Sequence, residues 1–420
     1  MPPTALVQPH LVAYVLLDLV IIIVALQIGG RLAGVVGQPR VVGEIVAGIL
    51  IGPTVLGGHV AFGATGGEGL VDRVYPAGAV SFLTLTGQVG LVLYMFLIGL
   101  EIDRGLLRGR GRQVVAVAAG LSVIPLAAGF AAASAFDGPT WRVPGASGVA
   151  VALFLGAALA TVGLPVIAHM IQERRLLGTA VACLALVVGS VVTVVAFLAI
   201  GAAGAIGHGR DVAHQLATTA AWTAVLVVSA ACVVRPLLAW VIRRGWVTTH
   251  VGPVLGGLLA LALAAGAAAD RIGIAPLVGG LLVGLATPAS PQLVQAILSR
   301  TKDVVLVIFL PVFFASSGLR TDLRLLEWNL LPGVLLFVAL ICAAKWGPSY
   351  MVARATGLGG REASALGVLL GSGGMLALVV GTIGLDARLI TPQMQVVVVL
   401  GALITLIPIG PLLTRLPPQP

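Results

Sequence analysis

The side chains of this sequence that could do chemistry stand singly in long apolar surroundings. Lys345 is flanked by Ala343, Ala344 and Trp346. An ammonium group in such a place meets an anion, caps helix-end carbonyls, snorkels to an interface or gives up its charge. Glu44 stands early in the second apolar stretch, Asp18 interrupts the first, and His169 follows Pro165 closely. Thr161, Thr193 and Ser372 add hydroxyls to runs otherwise made of small and aliphatic residues. Isolated acids, a lysine and hydroxyls suit a central cavity that passes a proton or holds a small molecule. These seven residues are the candidate cavity or transport set. None of them forms a catalytic triad or dyad.

Other chemistries leave no trace. The sequence has no Cys/His metal spacing, no nucleophile elbow and no phosphate-binding loop with lysine, so neither a metal nor a cofactor is expected. Cys183, Cys232 and Cys342 fall in apolar stretches without paired spacing and read as buried small hydrophobes. Asp270 reads as a helix end paired with Arg271. Glu101 and Asp103 read as partners of Arg104 or Arg108.

The elements that must position these residues are membrane helices. A mean hydropathy of +1.12 with 59% hydrophobic and 9% charged residues excludes a soluble fold. A span needs roughly 20 apolar residues, and the chain offers about thirteen such stretches. They run over 11–36, 41–57, 78–100, 112–135, 147–170, 178–205, 213–243, 251–268, 272–287, 303–317, 330–355, 363–384 and 391–416. The expected fold is an all-α integral membrane protein, a single membrane domain over 1–420 with core-like spans at 78–205 and 303–384. No separate soluble regulatory domain and no cleaved leader are expected.

Loop charge sets the expected orientation. Loops after odd-numbered spans hold Arg31 and Arg40, Arg104 to Arg112, Arg174 and Arg175, Arg243 and Arg244, Arg300 and Lys302, and Arg354 and Arg361. Even loops hold mostly single charges: Arg73, Arg142, Arg210, Arg271 and Arg388, with Arg320 and Arg324 as the one pair. Cytoplasmic loops collect Lys and Arg, so the odd loops face inward. The expected topology is multi-pass in the cell membrane, with the amino terminus outside and the carboxyl terminus cytoplasmic. The net charge of +9 is then topological; membrane lipid is the expected partner and nucleic acid is not.

Two interruptions mark a centre. Gly163 and Pro165 break the fifth span near Thr161, and Gly371-Ser372-Gly373-Gly374 breaks the twelfth. Paired interruptions in two halves point to a transporter's central site. Unwound backbone at membrane depth is tolerated only inside protein or along a watered cavity.

The stretch QPRVVGEIVAGILIGP from Gln38 to Pro53 resembles the second span of the monovalent cation/proton antiporter superfamily, in its Kef-type and plant cation/proton exchanger branch. GLVLYMFLIGLEID from Gly90 to Asp103 is similar to that branch's third span, and LPVFFASSGLRTD from Leu310 to Asp322 to its tenth. Leu164 to Ala168 and Arg271 to Ala275 add shorter matches. The resemblance implies thirteen spans, an inverted repeat, two broken helices crossing beside the sixth span, and a homodimer. It also implies an ion site, and there the sequence departs. The usual sixth-span carboxylates match Val192 and Thr193, and the usual twelfth-span base and acid match Gly373 and Ala377. Lys345 matches a lysine that in relatives pairs with the sixth-span carboxylate, and His169 stands where relatives carry Arg.

Three functions follow from this reading. The first is a transporter resembling these antiporters, with a degenerate ion site, repurposed for an organic or lipophilic cargo; the coupling ion, a monovalent cation or a proton, stays open. The second is a membrane-embedded isomerase or cyclase acting on a hydrophobic substrate within the same fold. The third is an inactive relative acting as a partner or regulator.

Overall fold

A backbone in hydrocarbon must satisfy its own hydrogen bonds, and a helix does so within one segment. The computed structural model is accordingly helical. It describes residues 11–52, 77–174, 176, 178–207, 209–246, 250–288, 290–319, 328–371, 373, 376–409 and 412, with one isolated β-bridge among them, Arg142 to Ile390. Eight helical segments among these are long and apolar enough to cross a membrane, and Pro276–Ala286, Leu376–Asp386 and Pro392–Ile404 are shorter apolar helices.

The chain divides into two compact units, residues 1–91 with 303–324, and residues 92–302 with 325–420. The first contains α1 (Leu11–Val35), α2 (Arg40–Leu50) and the start of α3 (Ala77–Glu101). A π-helical turn (Val305–Phe309) and α13 (Leu310–Leu319) are its other described helices. Glycines let these helices touch backbone to backbone, as membrane helices do without a hydrophobic drive between them. A Cβ on Gly43 of α2 would lie 2.1 Å from the Gly29 carbonyl oxygen of α1. One on Gly87 of α3 would lie 2.8 Å from Phe313 Cα of α13. Gly43→Ala therefore meets backbone that cannot swing away. It is expected to destabilise the protein by about 1–3 kcal/mol, read as a lower melting temperature in detergent.

The second unit holds the remaining helices. They are α4 (Gly111–Ala135), α5 (Gly148–Ala160), α6 (Leu164–Glu173) and α7 (Ala180–Gly207). Next come α8 (Val212–Ser229), a π turn (Ala230–Val234), α9 (Arg235–Arg243), α10 (Val251–Ile272), α11 (Pro276–Ala286) and α12 (Pro291–Val304), which ends at the unit boundary. Then follow α14 (Leu331–Ala355), α15 (Gly360–Leu370), α16 (Leu376–Asp386) and α17 (Pro392–Ile404). The α5–α6 pair is the most enclosed segment, 94% buried over its most apolar window, against 17% for α8–α9. The candidate site is thus built at the centre of this unit. Phe136 and Phe337 meet edge to face, in the same buried apolar cluster as Phe154 and the Ala157–Leu159 end of α5.

Several local expectations change. Glu101 pairs with Lys302 of α12 at 2.7 Å, and Asp103 caps the turn after α3 by accepting from the Gly105 amide at 2.8 Å; neither pairs with Arg108 among the described residues, and the Arg104 side chain lies outside them. The end of α3 faces α12, and Asp103 closes its own turn. No Asp270–Arg271 ion pair forms among the described residues. Instead α10 ends on Gly273 at φ 91, where a left-handed residue is needed and the Asp270 carbonyl accepts from Gly273. Cys183 is buried as expected, whereas Cys342 is half-buried and Cys232, in the π turn after α8, is exposed.

Candidate functional site at the two helix breaks

In an unbroken helix the Thr161 carbonyl would accept from the amide of residue 165. Residue 165 is proline and has no amide hydrogen, so the sequence itself strands this acceptor. The helix stops at Ala160, Thr161 takes φ −55 and ψ 127, and α6 restarts at Leu164 with Pro165 in its first turn. Pro165 thus begins the new helix rather than lying in the break, which spans Thr161 to Gly163. The hydroxyl of Thr161 folds back to donate to the Ala157 carbonyl at 2.8 Å. The stranded Thr161 carbonyl accepts from Lys345 Nζ of α14 at 2.5 Å. Lys345 and Thr161 are both fully buried.

The second break follows Leu370. The Gly371 amide still donates to the Gly367 carbonyl at 2.9 Å, and α16 begins at Leu376. Between them the Gly373 amide donates to Thr405 Oγ1 at 3.2 Å, and that hydroxyl donates to the Ala402 carbonyl at 2.6 Å. Ser372 lies outside the described residues.

One helix face and one dipeptide bring the breaks together. On α7, a Cβ at Gly189 would lie 2.8 Å from Leu164 Cδ2, 3.4 Å from Val162 Cγ1 and 3.6 Å from Leu370 Cδ2, so this glycine touches both breaks. One turn on, Thr193 donates to the Gly189 carbonyl at 2.8 Å, and Val192 and Thr193 are fully buried. On α14, Lys345 holds the first break while the next residue, Trp346, lies against the second. A Cβ on Gly371 would lie 1.8 Å from Trp346 Cδ1. The indole N–H of Trp346 is buried without a hydrogen-bond partner among the described residues.

Gly371→Ala is therefore expected to displace Trp346 and destabilise the unit by about 1–3 kcal/mol. Adding Trp346→Leu is expected to recover most of that loss. The melting temperatures of the two single variants and the double variant test it, because residues in direct contact give non-additive effects.

The charge of this centre is unusual. Helix α7 contains no Asp, Glu, Lys, Arg or His, so no register of the sixth span supplies a carboxylate. Val192, Thr193, Gly373 and Ala377 line buried positions with at most one hydroxyl among them. Of the other sequence candidates, His169 is half-buried on α6, whereas Glu44 and Asp18 belong to the first unit, on α2 and α1. Glu44 flanks Gly30, whose Cβ would lie 3.4 Å from Glu44 Oε1. Among the described residues no three His, Cys, Asp or Glu side chains gather as a metal site requires.

A polar chain beside the site is missing from the sequence reading. Tyr94 Oη donates to Gln172 Oε1 at 3.2 Å, and Gln172 Nε2 donates to Glu101 Oε2 at 3.0 Å. With Lys302 on the other Glu101 oxygen, the chain ties α6 to α3 and α12. The available signal was the pair of polar residues Gln172 and Glu101 at the ends of two spans.

A model of the family described as sodium/hydrogen exchanger, transmembrane, matches residues 19–416. The chain belongs to this family. It is 30% identical to the Na(+)/H(+) antiporter NhaS4 of Synechocystis sp. over 97% of this chain and 98% of that protein. It is also 30% identical to Cation/H(+) antiporter 18 of Arabidopsis thaliana, over 93% of this chain and 47% of the relative. The chain thus spans about half the length of the plant relatives it matches. The sodium proton antiporter MjNhaP1 from Methanocaldococcus jannaschii shares the fold, with a TM-score of 0.64, 17% identity and coverage of 97% of this chain and 99% of that one. Within this family, the chain has two helix breaks at its centre and no acid on α7.

Proposed function

We propose that this exchanger-family chain is a multi-pass cell-membrane transporter whose central site is degenerate as an alkali-cation site and takes an organic or lipophilic cargo. The observation that carries the reading is the pairing of a fully buried Lys345, bound to the Thr161 carbonyl, with a sixth-span helix free of ionisable acids. Exchange of an alkali cation at membrane depth needs a carboxylate that holds either the cation or a proton, since neutralisation offsets the cost of dehydrating the ion. Valine at 192 does neither, and threonine at 193 has turned its hydroxyl onto its own helix. The fixed charge of the centre is then carried by lysine, and an apolar, glycine-lined crossing suits a cargo that is mostly hydrocarbon with a polar end.

The reading includes one membrane domain, thirteen spans in an inverted repeat, an outside amino terminus, a cytoplasmic carboxyl terminus, and a homodimer as the working assembly. Purified protein in liposomes is expected to give little sodium- or potassium-driven proton movement across the neutral and alkaline range, while lipophilic organic ions raise its melting temperature. Robust, saturable alkali-cation exchange would sink the proposal. For orientation, single cysteines at Arg108 and Arg142, one span apart across α4, are expected to react with impermeant reagent from opposite sides. Labelling from the same side would overturn the topology.

A further inference from the structure

Asp18 is the one acid before Glu44 in the sequence, and the transport centre described above does not use it. It lies on the inward stripe of α1, in line with Val15, Ile22 and Leu26, and is 0% exposed. Its neighbours on the outer face, Leu16, Leu17 and Val20, are exposed hydrophobics. Neither carboxyl oxygen has a hydrogen-bond partner among the described residues.

Among the described residues, the elements packed most closely against α1 are α2, the π turn and α13. The charged residues of α2 are Arg40 and Glu44, and both flank Gly30. Gly30 is twelve residues from Asp18, about 18 Å along the helix. The π turn and α13 carry no charged side chain, and Asp303 just before the turn is exposed. Arg31, on α1 itself, is exposed near its far end. Among the described residues, an ionised carboxylate in this slot has neither hydrogen bonds nor a counter-charge, the least tolerable state for a buried group.

We propose that Asp18 is a proton-binding site of the first unit. Its carboxyl keeps a proton while the contact of α1 with α2 and α13 is closed, and exchanges it when that contact opens to water. The site is independent of the cargo taken at the helix breaks.

Dicyclohexylcarbodiimide, an apolar reagent for carboxyl groups that carry a proton, tests this directly. The carboxyl O–H adds across one C=N bond, its proton going to nitrogen and its oxygen to the central carbon. The adduct rearranges to an N-acylurea with no leaving group, so the peptide gains the whole reagent mass. Membrane-reconstituted protein is expected to be labelled on the peptide containing Asp18, less so as pH rises, and only weakly by a water-soluble carbodiimide. In Asp18→Asn that peptide is expected to stay unlabelled and the melting temperature to stay near that of the parent. An unlabelled Asp18 peptide in folded protein at every pH, or equal labelling by the water-soluble reagent, overturns the proposal. So does a marked fall in the melting temperature of Asp18→Asn, because an ionised carboxylate would then be holding the helices together.

Discussion

Lys345→Met is expected to reduce cargo movement by about 100-fold or more while leaving the melting temperature unchanged or raised. The activity loss follows from position. Lys345 is the charged group at the first break, and removing one member of a buried charged contact commonly costs about 2–5 kcal/mol of binding. The stability expectation comes from two opposing effects. Methionine gives up the hydrogen bond to the Thr161 carbonyl, and a bond with a charged donor is worth about 1.5–3 kcal/mol. It also removes an ammonium from a fully buried slot, where the desolvation penalty is several kcal/mol per ion. The second effect is the larger, and the unbranched thioether fills the space. A lysine that merely plugs a carbonyl predicts the reverse: full transport with a lower melting temperature. Measuring both quantities on the same variant separates the two, and full activity would remove Lys345 from the site.

Reintroducing carboxylates should change the chemistry of the centre. The double variant Val192→Asp with Thr193→Asp is expected to melt lower than the parent in buffer free of alkali cations, because both positions are fully buried. Sodium or potassium should then restore stability, by about 2.7 kcal/mol at a hundred times the dissociation constant. The parent should show no such dependence. A melting temperature indifferent to alkali cations in the double variant would mean that this turn of α7 does not face the ion position. The geometry names the neighbouring turn as the next to try, because Gly189 is the α7 residue in contact with Val162, Leu164 and Leu370.

The legible and illegible parts of this protein divide by the range of the forces involved. The first break was readable because its cause is local: Pro165 lacks the amide that Thr161 needs, whatever the rest of the chain does. The second was readable because a run of Gly, Ser and Gly at midspan weakens a helix on its own account. The loss of acids from the sixth span was visible in any register, since α7 contains none. Charge pairing was read less well. Glu101 looked like a partner of the arginines next to it, yet it bonds Lys302, 201 residues away. Neighbours in sequence are not favoured once a helix end faces another helix.

The sequence by itself determined that this is a helical membrane protein of the exchanger kind, that two spans are interrupted, and that the Thr161 carbonyl is stranded. Each of these follows from composition or from backbone chemistry within a turn or two. Only the tertiary structure decided that Lys345, 184 positions from Thr161, takes that carbonyl, that its neighbour Trp346 lies on the other break, and that Asp18 is sealed inside α1's packed face. In a soluble helix an apolar stripe betrays the buried side. A membrane helix is apolar all round, so periodicity cannot say whether Asp18 meets lipid, water or protein. The packing of small residues that brings helix backbones together is what settles it.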